Sequence, residues 1–293
     1  MKPKAFRKLG LAGAVFCLEI GIAQDAGQQA APPTAPVPPR AARAPRPPDP
    51  RVQQRKYHFA DTNEDLPYAI YVSSRVSRDK KSPLIIALHG LGGDQNSLMR
   101  GNAIDLAEEG GYILVGPMGY NQRGWYGTPV GRPRAGAPPR KADPAASNDP
   151  PNLRELSEKD VMNVLDIIRK EFNVDERRTY LMGHSMGGAG TLYLGAKYAS
   201  NWAAIAAIAP AAFAMLPNAV PMLTPIKDTI PVIVTQGDAD TAVPVDYTRR
   251  WIEAMKELRM DYRYVEMPGE DHGSIIAKGM PGIFAFFNEY SKH

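Results

Sequence analysis

Gly183-His184-Ser185-Met186-Gly187 has the residue types and order of a nucleophile held at a sharp chain reversal. It follows the apolar run Arg178-Thr179-Tyr180-Leu181-Met182 and opens the helical stretch that continues through Gly188-Ala189-Gly190-Thr191-Leu192. A strand that turns straight into a helix strains its apex residue, and bulky side chains beside that apex would collide, so glycines flank it. The Ser185 hydroxyl is then exposed above the sheet at a helix N-terminus. There the Met186 amide and the helix dipole stabilise developing negative charge. The bland alternative is a glycine-rich turn capped by a serine.

A serine needs a base to become nucleophilic. Of the five histidines, His293 is terminal, His58 precedes the core, and His184 adjoins the serine on a turn that points its ring away. His89 follows the apolar run 83–88 directly. His272, in Gly269-Glu270-Asp271-His272-Gly273, comes after the penultimate strand on a loop that reaches the carboxyl edge of the sheet, the place for a general base. An orienting acid is sought between serine and histidine, at the end of another strand. Pro231-Val232-Ile233-Val234-Thr235 leads into a segment offering Asp238, Asp240 and Asp246.

The elements that must carry these residues are legible as alternation. Apolar, β-branched runs bounded by turn residues lie at 67–73, 83–88, 112–116, 178–182, 203–208, 231–235 and 262–267. Helical stretches fall at 102–109, 157–172, 186–199, 245–260 and 279–291, the second with Val161, Val164, Leu165 and Ile168 as its inner stripe. Near-continuous apolar strands joined by helices imply an α/β fold with a mostly parallel sheet flanked by helices on both faces. Residues 120–153 break the rhythm as a long Gly-, Pro- and Arg-rich loop, the length expected of a functional wall or lid.

With these residues in place, the sequence resembles the α/β-hydrolase superfamily, whose triad order is serine, acid, histidine. Many of its members carry the acid in Gly-x-x-Asp-x-x-Val-Pro, matched by Gly237, Asp240, Val243 and Pro244, so the resemblance selects Asp240 and leaves Asp238 as a turn residue. It also implies that the loop His89-Gly90-Leu91 supplies a second oxyanion amide, that of Leu91 opposite Met186, with His89 structural. Within the fold, LIIALHG, NVDERRTYLMGHSMGG and QGDADTAVPV are similar to secreted esterases of the polyhydroxybutyrate depolymerase and feruloyl esterase type. They are similar also to single-domain members of the prolyl oligopeptidase and dienelactone hydrolase groups. Two departures stand out: dienelactone hydrolases use a cysteine nucleophile, and many secreted depolymerases carry disulfides. The short span between Ile208 and Pro231 leaves no room for a large cap domain, so loops must build the pocket. Trp125 and Tyr126 are candidate substrate-binding rings on the long loop, or else aromatics that pin it to the domain.

The resemblance implies a serine hydrolase cleaving a small-molecule or polymeric carboxylic ester, with no metal or organic cofactor. A serine peptidase, an acyltransferase and a non-catalytic binding module are the alternatives. Among 293 residues the only cysteine is Cys17, so thiol chemistry is excluded beyond it. Residues 1–23 carry Lys2, Lys4, Arg7 and Lys8, then an apolar run, then Gly21-Ile22-Ala23, the pattern of a secretory signal too short to anchor in a bilayer. Residues 24–56 are rich in Pro and Arg and read as an extended disordered tether, with the catalytic domain at 57–293. The net charge of +4 belongs to these first two segments and leaves the remainder near −3, which argues against a nucleic-acid partner. Export to the periplasm or the medium is expected, with weak contact of the basic tether to anionic envelope polymers.

Overall fold

The computed structural model describes residues 47–129 and 144–292; the signal-like segment, residues 24–46 of the proline-rich stretch and 130–143 of the long loop lie outside them. The strands are β1 (Gln53–Phe59), β2 (Glu64–Val72), β3 (Ser82–Leu88), β4 (Ile113–Pro117), β5 (Val174–His184), β6 (Ala204–Ile208), β7 (Val232–Gly237) and β8 (Tyr262–Met267). The helices are α1 (Asn102–Gly110), α2 (Leu153–Glu171), α3 (Met186–Lys197), α4 (Ala219–Leu223), α5 (Val245–Glu257) and α6 (Ser274–Glu289). All eight strands form one sheet in the order β1-β2-β4-β3-β5-β6-β7-β8. Only the β1–β2 and β2–β4 pairings are antiparallel.

The continuous apolar strands have the expected cause. In β3, Leu84, Ile86 and Leu88 pack into the layer under α2, α3 and α5, while Ile85 and Ala87 face the layer under α1 and α6. Both faces of the strand are thereby buried, each large side chain contributing about 1.5–3 kcal/mol. The parallel strands direct their carboxyl ends to one edge, and the segments following β3, β5, β7 and β8 all emerge there.

Several elements begin earlier than expected, β2 at Glu64, α2 at Leu153 and β5 at Val174 among them, and two further differences have a clear cause. The folded region starts before Tyr57: β1 begins at Gln53 and pairs with β2 along its length, and Arg51 bridges Asp49 and Asp105 of α1. The proline-rich tether therefore ends short of residue 56. Gln53-Gln54-Arg55-Lys56 resembles linker because β1 is an edge strand, where charged, outward side chains discourage pairing with another chain. The last helix starts at Ser274 rather than 279 and runs through Gly279, Pro281 and Gly282, because Ile275, Met280, Ile283 and Phe287 bury a stripe that outweighs those breakers. Among the described residues no helix is long and apolar enough to cross a membrane.

Candidate active site

β5 ends at His184, α3 begins at Met186, and Ser185 between them has φ 57° and ψ −114°, a strained conformation for a residue with a Cβ. Such strain costs of order 1–3 kcal/mol and persists only where the surroundings over-determine it. Here the Ser185 amide donates to Ile208 O at 2.9 Å, while its carbonyl accepts from Ala211 at 2.9 Å and from Ala189 at 3.0 Å. Gly187 is required by close approach: a Cβ there would overlap the carbonyl oxygens of Leu88 and His89 at the end of β3. The elbow is thus held by backbone packed on backbone.

The loop after β3 runs alongside. A Cβ at Gly90 would lie 3.2 Å from Ser185 Cβ, which brings the next residue, Leu91, beside the elbow. Neither the Leu91 amide nor the Met186 amide, at the first position of α3, has an acceptor among the described residues. His89 is buried, with Nδ1 2.8 Å from Gly90 O and Nε2 2.7 Å from Met118 O, tying this loop to the one after β4. Burial lowers its pKa, against the pull of those carbonyls. His89 holds the scaffold.

On the other side of the site, His272 Nδ1 lies 2.7 Å from Asp240 Oδ2. An ionised carboxylate only accepts, so Nδ1 carries the proton and neutral His272 presents Nε2 as its free basic atom. The Asp240 carboxylate is wholly buried and the His272 ring partly exposed. Burial pushes the Asp240 pKa up, but hydrogen bonds from His272, the Val243 amide and Gln236 outweigh it and hold the group below the usual carboxylate value. The two loops are laced together: Asp238 N donates to Met267 O, Ala239 N to Glu270 O, and Gly269 N to Asp238 Oδ1 at 2.6 Å. Asp238 is a loop tie, and Asp246, on the first turn of α5, pairs with Arg249 at the surface.

The two sides meet through a histidine that sequence reasoning had set aside. His184 donates from Nε2 to the His272 carbonyl at 2.8 Å, and the two rings lie 4.5 Å apart. Burial, with nearby His272 adding to it, pushes the His184 pKa down to about 4, so the residue stays neutral beside His272. The Ser185 hydroxyl makes no hydrogen bond among the described residues. Hydrogen bonds of this kind are often completed only when substrate is bound. Gln236 was also unforeseen, although a glutamine closing an otherwise apolar strand was a visible signal.

The paired aromatics of the long loop separate. Tyr126 is fully buried, its hydroxyl donating to His89 O at 3.1 Å and its amide to Ser157 Oγ at 3.0 Å. Its expected role as a substrate contact is corrected: the ring lies against Gly190 of α3 and pins the loop. Trp125 is only partly buried, at φ 57°. Asp160 of α2 secures the same loop by accepting the amides of Gly119 at 2.6 Å and Tyr120 at 3.1 Å, together with the Tyr57 hydroxyl at 2.5 Å. Across the loop, Arg123 and Asn121 grip Asp149, with Arg123 Nε 2.5 Å from Oδ2 and Nη2 2.8 Å from Oδ1. A surface groove lined by Ala199, Lys227, Arg259 and Lys292 lies at the opposite, amino edge of the sheet, away from these groups.

A mostly parallel sheet, a serine elbow after its fifth strand, and acid and histidine after its last two define an α/β-hydrolase. Residues 60–229 match the model of the Esterase family, described as "Putative esterase", and the chain belongs to that family. It is 27% identical over 167 residues to Putative esterase NocK of Nocardia uniformis subsp. tsuyamanensis, covering 56% of this chain and 42% of that one. It is 28% identical over 148 residues to Feruloyl esterase B of Neurospora crassa, covering 48% and 44%. These matches span less than half the length of either relative. Among solved structures, an S-formylglutathione hydrolase from Agrobacterium tumefaciens superposes with a TM-score of 0.65 at 16% identity, over 81% of this chain and 94% of that one. A ferulic acid esterase from Anaeromyces mucronatus, in complex with ferulic acid, does so at 0.63 and 18%, over 82% and 90%. At such identities the likeness is one of fold.

Proposed function

We propose that the protein hydrolyses carboxylic esters through an acyl-enzyme, with Ser185 as nucleophile, His272 as general base and acid, and Asp240 as the group that orients His272. The observation that carries this reading is the strained Ser185 elbow on the same sheet edge as the buried Asp240 carboxylate and, 2.7 Å from it, the partly exposed His272. His272 Nε2 takes the Ser185 proton as Oγ attacks the carbonyl carbon, and Asp240 stabilises the imidazolium without becoming protonated. The unengaged amides of Leu91 and Met186 receive the oxyanion, each such donor being worth ~3 kcal/mol in the transition state. The imidazolium protonates the leaving alcohol, and His272 then activates the water that releases the acid. Family membership supports an ester as substrate, and Trp125, only partly buried on the pinned loop, is the ring offered to an aromatic, sugar or polyester group. The signal-like segment and the proline-rich stretch support action outside the cytoplasm.

The test is hydrolysis of p-nitrophenyl esters from acetate to octanoate, methyl ferulate and one peptide p-nitroanilide by the wild type and Ser185→Ala. Ester turnover abolished by Ser185→Ala, with an unchanged circular dichroism spectrum, is expected. Turnover that survives the substitution overturns the mechanism, and cleavage of the anilide without the esters makes the protein a peptidase.

A further inference from the structure

Gln236 is completely buried near the end of β7, in a strand whose other members are Val232, Ile233, Val234, Thr235 and Gly237. A primary amide in such a place must satisfy two N–H donors and an oxygen. Its Nε2 lies 3.1 Å from each of Asp240 Oδ2, Val243 O and Gly237 O, and its Oε1 accepts from the Thr248 hydroxyl of α5 at 2.7 Å. The reversed amide would set its oxygen against three other oxygens, so the network admits one orientation. Asp240 Oδ1 is served by the backbone amides of Ala242 and Val243, at 2.9 and 2.8 Å. Asp240 Oδ2 is served by two side chains, Gln236 and His272.

The geometry points to Gln236 as a positioning residue for the proposed hydrolysis: locked by Thr248, its amide aims Asp240 Oδ2 at His272 Nδ1 and shares that oxygen with it. The inference rests on the triad reading above. Backbone amides hold one end of the carboxylate whatever the side chains do, whereas the end that faces the base depends on Gln236 to fix it. Sharing also tempers the acid. A donor that is not the imidazole takes up part of the negative charge on Oδ2, so the carboxylate holds the imidazolium less tightly than an unshared oxygen would. His272 can then surrender its proton to the leaving alcohol.

Gln236→Met keeps the length of the side chain and removes its polar atoms. The expected result is a kcat about tenfold lower at unchanged KM, the size of one hydrogen bond to a charged group. The acid limb of kcat/KM should also move to higher pH by about half a unit, because the unshared carboxylate stabilises the imidazolium more. The His272 ring protons, followed by NMR in a Ser185→Ala background, report the same midpoint without any turnover. Thr248→Val retains the amide but frees its orientation; it moves the midpoint in the same direction by less, and carries the test if Gln236→Met does not fold. A midpoint unmoved or lowered in the variants overturns the inference, even if stability falls. Ester turnover by the wild type with an unmoved midpoint refutes the positioning role alone, while a wild type without ester turnover whose midpoint still moves refutes the triad reading and leaves the polar network standing.

Discussion

The two halves of the site are built in different ways. Around Ser185 the contacts are backbone on backbone: three main-chain hydrogen bonds on the serine, a carbonyl packed where a Cβ would be, and the loop after β3 drawn in by Gly90. Around Asp240 and His272 side-chain polar groups join the main chain: Gln236, Thr248 and His184 reach neighbours by side-chain hydrogen bonds, beside the backbone amides that hold Asp240 Oδ1. A nucleophile has to be displayed at a fixed point, which sterics can do. A base has to gain and lose a proton at a set affinity, which only a hydrogen-bonded environment can tune. Overpacking the first half should therefore cost stability and turnover together, whereas changing the charge of the acid in the second should cost turnover far more than stability.

The most severe test is Gly187→Ala. The added methyl must displace the carboxyl end of β3, so loss of activity is expected together with a fall in thermal stability, overpacking of this kind costing about 1–3 kcal/mol or more. A stable, fully active variant would remove the steric account of the elbow. Asp240→Asn is the matching change on the polar side. It should leave the unfolding midpoint within a few degrees of the wild type while kcat drops by roughly 10³–10⁴, since an amide cannot hold His272 in the same tautomer. Equal losses of stability in the two variants would erase the contrast.

The mildest test concerns Asp160, a fully buried carboxyl on the Ser185 side of the site. Burial raises the Asp160 pKa to about 6, even though Tyr57, Tyr120 and Gly119 donate to it. The folded chain then binds this proton more tightly than the unfolded chain, whose carboxyl titrates near its ordinary value of about 4. Its contribution to stability is greatest below that value and is lost as pH rises through about 6, up to ~3 kcal/mol. Asp160→Asn cannot titrate. On going from pH 5 to pH 8 the wild type should lose several degrees of melting temperature relative to the variant, and parallel melting curves would refute the buried-charge account.

What could be seen in the sequence follows the same division. The inner strands stand out as apolar runs because burial demands them, β8 at the far edge stands out through its tyrosines and valine, and Ser185 stands out because its glycines are demanded by sterics. β1 does not, since an exposed edge strand is polar for good reason. His184 looks like a bystander beside the serine: its bond to the His272 carbonyl joins residues 88 apart and exists only once β5 and the last loop are side by side. Tyr126 and Trp125 are adjacent and alike in composition, and only the packing of α2 and α3 decides that the tyrosine is enclosed and the tryptophan is not. Tertiary polar contacts carry no periodicity, so nothing in the local pattern announces them.

The grip of Arg123 and Asn121 on Asp149 has a consequence for how such an enzyme changes its substrate over evolutionary time. The clamp holds Arg123 and Asp149 together whatever length of chain joins them, and the entropic cost of closing a longer loop grows only by ~0.6 kcal/mol per doubling of length. Length can therefore be gained or lost beyond the pinned turn at Trp125–Gly127, like a replaceable cartridge, at small cost to the framework that Tyr126 and the clamp hold in place.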